Sequence, residues 1–290
     1  MNSEGCLSCY CSGVTDECGP ATLYWSTLRY PILDNDHGVK LTDKRQGMDK
    51  SGDLQLQSSQ LTYQYSPSDR RTFYWQLPYQ FLGNKITAYG GNMTSVQSYT
   101  ITSARPAPLT DSDVIMMGND LALHFMFETD HIPNSISKHR IPLYENGWFI
   151  RRGNSQIPAT RENFLRVLSN IDSILVRATV AQNMASASLS RVNMDIAVPQ
   201  MTGGPLVQGA EECRCPPGYR GFSCEECAVG YYRDTSDTSR GQLGTCVKCP
   251  CNSNEQACGR GPTGRVMCQC KDGWSGPYCD SQGKYILLFL

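Results

Sequence analysis

The sequence has no strong excess of charge of either sign. Its 290 residues contain 26 Lys and Arg against 27 Asp and Glu, a formal net charge of -1, and no run of basic residues is longer than two. Proteins that bind nucleic acid usually present a basic patch or stripe to the phosphate backbone. We therefore expect no nucleic-acid partner.

Long hydrophobic runs are also missing. The most apolar segment is the C-terminal residues 285–290, whereas a helix that crosses a bilayer needs about 20 apolar residues. We expect no membrane span. The first ten residues lack the basic start, apolar run and cleavage site of a signal peptide, which predicts that the natural protein begins further upstream.

Imidazoles are scarce, and the usual catalytic motifs are missing. The sequence contains 4 histidines, His37, His124, His131 and His139. None lies in a hydrolase motif such as G-x-S-x-G or H-E-x-x-H. His124 falls inside an apolar segment, where a packed histidine is more common than a catalytic base. We predict that the chain is not an enzyme and needs no cofactor.

Cysteine is absent from the long stretch between Gly19 and Glu212, although the whole chain has 15 cysteines. All 15 lie in two groups, one from Cys6 to Cys18 and one from Cys213 to Cys279. Small Gly- and Pro-rich segments without a core need covalent cross-links, and disulfides persist in oxidising compartments. The distribution predicts two kinds of domain in a secreted protein.

The cysteines follow a repeated spacing. One series consists of Cys249-Pro-Cys251, Cys258, Cys268-Gln-Cys270 and Cys279. A similar series begins at Cys9-Tyr-Cys11 and Cys18, stops, and resumes with Cys213, Cys215, Cys224, Cys227 and Cys246. Two C-x-x-C spacings, at Cys224 and Cys246, also suit zinc. The C-x-C pairs, the Gly-Tyr-Tyr that follows Cys227 and the lack of histidine among them favour disulfides.

This spacing resembles the laminin-type EGF-like module, whose pattern is C-x-C, C, C-x-C, C-x-x-C-x-x-G-[FY]-[FY] and a final C. That family pairs its cysteines first to third, second to fourth, fifth to sixth and seventh to eighth. The resemblance therefore implies disulfides Cys9–Cys18, Cys11–Cys213, Cys215–Cys224, Cys227–Cys246, Cys249–Cys258, Cys251–Cys268 and Cys270–Cys279.

The same resemblance assigns the N-terminal and C-terminal parts of the chain to separate EGF-like modules. It implies that residues 1–8 end a preceding module, so that Cys6 has no partner in this fragment. Residues 9–18 and 213–248 form one module, and residues 249–280 form a partial one. The pattern does not explain residues 281–290.

The cysteine-free residues 19–212 carry mainly strand patterns. Leu54, Leu56, Leu61, Tyr63 and Tyr65 alternate with polar residues, and residues 72–77, 85–89, 113–117, 121–127, 173–180 and 192–198 are rich in β-branched, aromatic or alternating apolar residues. Gly118-Asn119 predicts a turn between residues 113–117 and 121–127. Thr160 can cap one helix, in which Phe164, Leu165, Leu168 and Ile171 recur at helical spacing. Many strands and one helix predict a mainly β fold, a β-sandwich of jelly-roll type.

This segment also resembles the laminin IV type A domain, in Phe73-Tyr-Trp-Gln-Leu-Pro78, Thr87-Ala-Tyr-Gly-Gly91 and Ile174-Leu-Val-Arg-Ala178. The first of these and the residues around Cys213 are most similar to basement-membrane heparan sulfate proteoglycans of the perlecan type, with laminin chains next. In this family the laminin IV type A domain is inserted between the third and fourth cysteines of a laminin-type EGF-like module. If Cys11 bonds Cys213, the ends of the insert must be close, because bridged Cα atoms lie about 6 Å apart.

Three further features have a functional and an ordinary interpretation. Asp34-Asn-Asp36 and Asp111-Ser-Asp113 could supply calcium ligands, but such residues are also common in turns, which we favour. Asn92-Met-Thr94 is an N-glycosylation sequon just after the Gly90-Gly91 turn, where an exposed acceptor is expected. Sequons also occur by chance, but in a secreted protein we predict that Asn92 is glycosylated. Aromatic residues could line a glycan-binding face, and Trp75 and Tyr89 lie in strand patterns that predict burial, which leaves Trp25 and Trp148.

The resemblance implies a function. We expect a structural and adhesive module of the extracellular matrix or basement membrane, a disulfide-stapled rod with a globular domain that binds other matrix or cell-surface proteins. The alternative is a glycan-binding, lectin-like β-sandwich.

Overall fold

A computed structural model describes residues 8–32, 38–69, 71–103, 105, 108–128, 131–208, 210–239, 241–261 and 264–282. The chain forms two compact units. The larger consists of Thr22–Val207, and the smaller combines Met1–Ala21 with Gln208–Leu290. Cys6, Asp34-Asn-Asp36, most of the preceding-module segment 1–8 and most of the tail 281–290 lie outside the described residues.

The described strands are numbered in chain order. The first belongs to the smaller unit, β1 (Cys18–Pro20). The larger unit then contributes β2 (Tyr24–Pro31), β3 (Lys40–Asp43), β4 (Gln55–Gln57), β5 (Gln60–Gln64), β6 (Phe73–Gln76), β7 (Asn92–Ile101), β8 (Val114–Gly118), β9 (Leu121–Phe125), β10 (Ile136–Pro142), β11 (Trp148–Arg152), β12 (Ser155–Pro158), β13 (Ile171–Arg177) and β14 (Met184–Val198). The smaller unit ends with β15 (Glu211–Cys213), β16 (Tyr219–Arg220), β17 (Glu226–Cys227), β18 (Tyr231–Asp234), β19 (Thr245–Lys248), β20 (Glu255–Arg260), β21 (Val266–Cys270), β22 (Trp274–Ser275) and β23 (Ser281–Gln282).

The larger unit is a sandwich of two antiparallel sheets. Within the described ranges, one sheet has the order β10-β7-β14-β5-β4, with β2 also paired to β14, and the other has the order β12-β11-β9-β8-β13-β6-β3. Alternate residues of β7, Met93, Ser95, Gln97 and Tyr99, are buried while their neighbours are half-exposed. This period of two places one face of the strand against the other sheet. The mainly β, sandwich fold predicted from the sequence is confirmed.

The core between the sheets is large and mostly aromatic or aliphatic. Its largest fully buried side chains include Trp75, Trp148, Phe73, Phe81 and Phe164. Burial of a side chain of this size contributes about 2 to 3 kcal/mol. The larger unit therefore has an apolar core of its own.

Tight turns join neighbouring strands where short polar residues predict them. Asn119 and Asp120 connect β8 to β9 with φ values of 48° and 59°, and Ser58 and Ser59 connect β4 to β5 with φ values of 50° and 60°. Two successive residues with positive φ form the turn that matches the twist of a hairpin. The turn at Gly118-Asn119 was predicted from the sequence.

The described part of the chain has one α-helix, α1 (Arg161–Leu168). The predicted cap is present. The Thr160 hydroxyl accepts from the Asn163 backbone amide at 3.2 Å, and the Asn163 side chain accepts from the Thr160 amide at 3.1 Å. The prediction that Ile171 belongs to the helical face is wrong, because Ile171 begins β13.

The strand predicted for residues 85–89 is also wrong. Ile86–Ala88 form a short 3-10 helix. The Asn84 side chain accepts from the Ile86 amide at 3.1 Å, and the Ala88 amide donates to the Lys85 carbonyl at 2.8 Å. Asparagine favours such local turns, and these hydrogen bonds replace a sheet partner while Ile86 and Ala88 stay buried.

The two ends of the larger unit lie side by side. The Val207 amide donates to the Leu23 carbonyl at 2.8 Å, and Tyr24 and Leu206 form an antiparallel bridge. The incoming and outgoing segments are thus paired by backbone hydrogen bonds.

No helix among the described residues is suited to crossing a bilayer.

Candidate functional site

Disulfides form the cores of the smaller unit. Seven are present among the described residues, Cys9–Cys18, Cys11–Cys213, Cys215–Cys224, Cys227–Cys246, Cys249–Cys258, Cys251–Cys268 and Cys270–Cys279, with Cα–Cα distances from 5.4 to 6.0 Å. These are the pairs that the family resemblance implies. Cystines and a few aromatic residues make up the two small cores, one around Cys11 and Cys224 and one around Cys251 and Cys279.

The Cys11–Cys213 disulfide links residues 202 positions apart in sequence. Cys11 is fully buried, and Cys213 lies directly opposite Cys18 in the short β1–β15 ladder. Beyond that ladder the Ala21 amide donates to the Ala210 carbonyl at 2.9 Å. The chain therefore leaves this small module and returns to it through two paired strands.

The Glu211 carboxylate joins the two halves of the same module without a covalent bond. It accepts from the backbone amides of Tyr10 and Cys11 at 2.9 and 3.2 Å, and from the Ser223 hydroxyl at 2.9 Å. Tyr10 has right-handed backbone angles, with φ of -82° and ψ of -53°, and Cys11 follows it with a positive φ of 39°. A right-handed residue followed by a left-handed one directs successive amides towards an anion. Glu211 thus lies at the point where three separate segments meet.

Both modules close with the same loop. Gly221 in Cys215–Cys224 and Gly276 in Cys270–Cys279 have φ values of 100° and 91°. A Cβ at either position would lie 2.3 Å from the Glu225 carboxylate or 2.4 Å from the Asp280 carboxylate. Glycine is required at both positions because of the left-handed backbone and the nearby carboxylate. The geometry shows an internal repeat.

The zinc alternative does not fit these sulfur atoms. Groups such as Cys9, Cys11 and Cys18 lie close enough together to hold a metal, but each of these sulfurs is bonded to another sulfur. A disulfide has no thiolate to donate, and zinc binds the thiolate.

The larger unit contains a buried polar cluster at the ends of β8 and β13. One Asp113 carboxylate oxygen lies 2.5 Å from Arg177 Nη2 and 3.0 Å from His131 Nε2, and the other accepts from the Phe127 amide at 2.7 Å. Burial raises the pKa of Asp113, but the hydrogen bond from His131 and the charge of Arg177 outweigh it and leave that pKa below its usual value. The sequence predicted a turn at Asp111-Ser-Asp113 and a strand that begins at Asp113, and it gave no sign of this cluster.

His139 lies beside this cluster, in β10. Its ring is stacked on Phe127 with centroids 4.0 Å apart, and the side chain is buried. Its Nε2 has no hydrogen-bond partner among the residues that the structure describes. Burial, with the nearby His131, lowers the pKa of His139 to about 4. This imidazole is therefore neutral at physiological pH.

One serine and histidine pair has the contact that a nucleophile would need. Ser112 Oγ lies 3.1 Å from His124 Nδ1. However, Ser112 is only 2 % exposed, and its oxygen also accepts from Arg151 at 3.0 Å. A buried hydroxyl that is already bound to a cation has no access to substrate.

The remaining sequence candidates have ordinary environments. Asp111 accepts from the Thr72 hydroxyl at 2.9 Å and lies 3.7 Å from Lys44. Trp148 is buried, and its indole donates to the Pro142 carbonyl at 2.8 Å, so it cannot line a glycan-binding face. Trp75 is buried as predicted, Tyr89 only partly, and Trp25 is half-buried.

Asn92 does not lie in a loop. It is the first residue of β7, and its side-chain oxygen accepts from Arg140 Nε at 2.7 Å. The side chain is partly exposed. Glycosylation at this sequon stays a prediction.

Two family models match the chain. Laminin B (Domain IV) matches residues 74–210, and the laminin EGF domain matches residues 207–243. The central segment therefore matches the laminin domain IV family, and the segment around Cys213 matches the laminin EGF family. Both resemblances noted in the sequence are confirmed.

Several relatives match nearly the whole chain. The basement membrane-specific heparan sulfate proteoglycan core protein of Mus musculus is 34% identical and the basement membrane proteoglycan of Caenorhabditis elegans 35%, each over 96% of this chain. Laminin subunit alpha-1 of Mus musculus is 29% identical over 96%. The chain spans only 7% to 9% of the length of these relatives.

A solved structure supports the domain IV fold. The L4b domain of human laminin alpha-2 superposes with a TM-score of 0.53, at 22% sequence identity, over 61% of this chain and 99% of that domain. This likeness shows the fold of the larger unit. The two family models and the basement-membrane relatives show that the chain is built from domain types of the secreted extracellular matrix.

Sequence reasoning missed two features of the chain. Glu211 is one of two adjacent glutamates before Cys213, and nothing in the sequence distinguishes it from exposed Glu212. The contact of Asp113 with Arg177 joins residues 64 positions apart, which no local pattern could indicate.

Proposed function

We propose that the chain is a structural and adhesive module of the basement membrane, in which small disulfide-stapled modules carry a globular domain that binds other matrix or cell-surface proteins. The observation that supports this is the Cys11–Cys213 disulfide, which closes one EGF-type module around the whole of the domain IV segment. The domains proposed are residues 9–18 with 213–248, residues 19–212, and residues 249–280.

The proposed structural role depends on the different ways in which the two units are stabilised. The smaller unit has little apolar core beyond its cystines, so its form depends on disulfides. The larger unit has its own core, and its ends are hydrogen-bonded to each other. A domain with adjacent ends can be inserted without disturbing the register of the module that carries it.

We infer that the chain has no catalytic activity. The Ser112 and His124 contact is buried, and the described cysteines form disulfides. The partners proposed are proteins of the matrix or the cell surface, as the basement-membrane relatives suggest.

Retention in a matrix tests the adhesive role. The tagged 290-residue chain would be secreted into cultures that deposit a basement membrane, and its detergent-insoluble fraction would be measured by immunoblot. We expect retention well above that of an unrelated secreted protein of similar size. Equal recovery of the two proteins in the soluble medium would contradict the proposal.

Disulfide mapping tests the interrupted module separately. Mass spectrometry of non-reduced peptides should find the Cys11 peptide joined to the Cys213 peptide. If Cys9, Cys11 and Cys18 were joined only among themselves, the segments 9–18 and 213–248 would not form one module.

A further inference from the structure

The six-stranded sheet of the larger unit exposes a basic face, which we define as Arg29, Lys138, Arg140 and Arg191. All four residues are exposed and lie in three strands, β2, β10 and β14. Strand register places them on one side of the sheet, because Arg140 pairs with Thr94, Thr94 with Asn193, and Asn193 with Arg29. Lys138 and Arg191 both pair with Val96 in the neighbouring row.

The spacing of these cations is set by the sheet. Neighbouring strands lie about 4.8 Å apart and alternate residues about 7 Å apart along a strand. Lys138 and Arg191 are therefore separated by roughly 10 Å and Arg140 and Arg29 by roughly 14 Å at the backbone. Four positive charges occupy a patch small enough for one extended polyanion to contact them all.

These charges are not neutralised by the protein. Within the described residues, none of the four forms an ion pair, and Arg140 donates only to the neutral amide oxygen of Asn92. The carboxylate on the same face is Asp195, which is occupied by the Asn92 amide at 3.1 Å and the Thr27 hydroxyl at 3.5 Å. An unpaired basic patch in a chain of net charge -1 points to an anionic partner.

The rest of the face is hydroxylated. Thr62 and Ser188 share a hydrogen bond of 2.8 Å, and Thr100 and Ser186 share one of 2.7 Å. At the other end of the face, Gly91 lies next to both Trp25 and Asp195, because a Cβ on Gly91 would be 3.0 Å from the Trp25 ring and 2.8 Å from Asp195. Since Asp195 lies on the basic face, the half-buried indole of Trp25 borders that face. Protein interfaces usually centre on aromatic and Arg anchors that fill well-packed, desolvated pockets. Here the cations and hydroxyls lie on an exposed sheet face with one half-buried indole, which suits a sugar.

We propose that this basic face binds a sulfated polysaccharide. Sulfate groups would accept charge-assisted hydrogen bonds from Arg29, Lys138, Arg140 and Arg191, and sugar hydroxyls would lie against the serine and threonine rows. This binding surface does not depend on the disulfide module or on the proposed structural role.

Heparin is the probe for the test. Binding of heparin to the full chain would be measured by calorimetry at 0.05, 0.15 and 0.5 M NaCl, before and after enzymatic trimming of N-linked glycans. We expect saturable binding by the trimmed chain at 0.15 M salt that is lost at 0.5 M, because salt screens exposed charges. No binding by the trimmed chain at 0.15 M would overturn the proposal.

Matched variants locate the site. Lys138→Gln, Arg140→Gln and Arg191→Gln together should weaken heparin binding about tenfold, because three exposed charge contacts are lost and each contributes about twofold to the affinity. Lys40→Gln, Arg45→Gln and Arg152→Gln remove the same charge from exposed positions outside the face and should change it less than twofold. Thermal unfolding would verify that both variants are folded.

The identity of the ligand class is tested by competition. Polyglutamate of equal charge should compete much less than heparin. Equal loss of affinity in the two variants, or equal binding of polyglutamate, would contradict a polysaccharide site, the second result indicating an acidic protein instead.

Discussion

Besides its disulfides, the module formed by residues 9–18 and 213–248 is held together by the side chain of one residue. Glu211 contacts Tyr10, Cys11 and Ser223 through one carboxylate. We expect Glu211→Gln to weaken these charge-assisted bonds and destabilise the oxidised module by about 1 to 2 kcal/mol. The ratio of reduced to oxidised dithiothreitol that half-reduces Cys11–Cys213 should fall about tenfold, which trapping of free thiols and mass spectrometry would measure.

The neighbouring residue provides the control for this prediction. Glu212→Gln removes the same charge from an exposed side chain and should leave the half-reduction point unchanged. If both variants behaved alike, net charge near the disulfide would explain the effect and the hydrogen bonds of Glu211 would not.

His139 makes the stability of the larger unit depend on pH. Its pKa is about 4 in the folded chain against an ordinary value of 6.5, so the unfolded chain binds a proton between these values and the folded chain does not. Unfolding is therefore favoured as the pH falls from 6.5 to 4. After allowance for partial solvent screening, the loss is on the order of 2 kcal/mol.

Replacement of this imidazole should remove part of that dependence. His139→Phe keeps the ring stacked on Phe127 and eliminates the unpaired Nε2. The melting temperature of the variant should fall less than that of the wild type between pH 7 and pH 5, as followed by calorimetry. His124, whose pKa burial and Arg151 also lower to about 4, would account for the remaining dependence. An unchanged pH profile in His139→Phe would contradict the assignment.

At the scale of elements, the fit between helix α1 and strand β8 depends on a missing side chain. A Cβ on Gly118 would lie 2.2 Å from the Asn170 carbonyl oxygen and 2.9 Å from that of Val167. Backbone atoms cannot move aside as a flexible side chain can. We expect Gly118→Ala to lower the free energy of unfolding of the larger unit by about 2 kcal/mol or more, measured by urea denaturation.

Gly47→Ala is the matched control, because a Cβ there meets nothing within 4 Å and its φ is not positive. It should change stability by less than about 0.5 kcal/mol. Comparable losses in both variants would show that the packing of α1 on β8 is looser than these distances imply.

Elements were predictable from the sequence where local signals agree. Thr160 before an apolar helical face predicted α1, and Gly118-Asn119 predicted the hairpin turn. The segment 85–89 failed because its β-favouring residues compete with the Asn84 side chain, which stabilises a 3-10 turn instead. The basic face could not be predicted from the sequence. Its residues lie in β2, β10 and β14, which are distant in sequence and are brought together only by strand pairing in the sheet.

For the whole molecule, cysteine spacing carried most of the information. The family pattern implied a link between Cys11 and Cys213, which no local argument could supply, and the structure contains that link. The cysteine spacing could not reveal a second connection, which joins the two ends of the larger unit. This connection is the backbone pairing of Leu23 with Val207. Since both connections join the same two ends, removal of one should leave the other.

Cys11→Ser with Cys213→Ser should therefore loosen the small module and leave the larger unit folded. In the chain-entropy model a closed loop of this length contributes at most about 5 kcal/mol, less than loss of the buried core would cost. We expect the cooperative calorimetric transition of the larger unit to persist at a lower temperature. Limited proteolysis should now cut near residues 19–22 and 207–213.

Cys249→Ser with Cys258→Ser is the control, because that disulfide spans 9 residues in the second module. It should leave the transition of the larger unit and the cuts near residues 19–22 and 207–213 as in the wild type. Should the Cys11 and Cys213 variant instead lose its cooperative transition entirely, the larger unit would need the disulfide in order to fold. It would then be one folding unit with its host module, because pairing of Leu23 with Val207 alone could not hold its ends together.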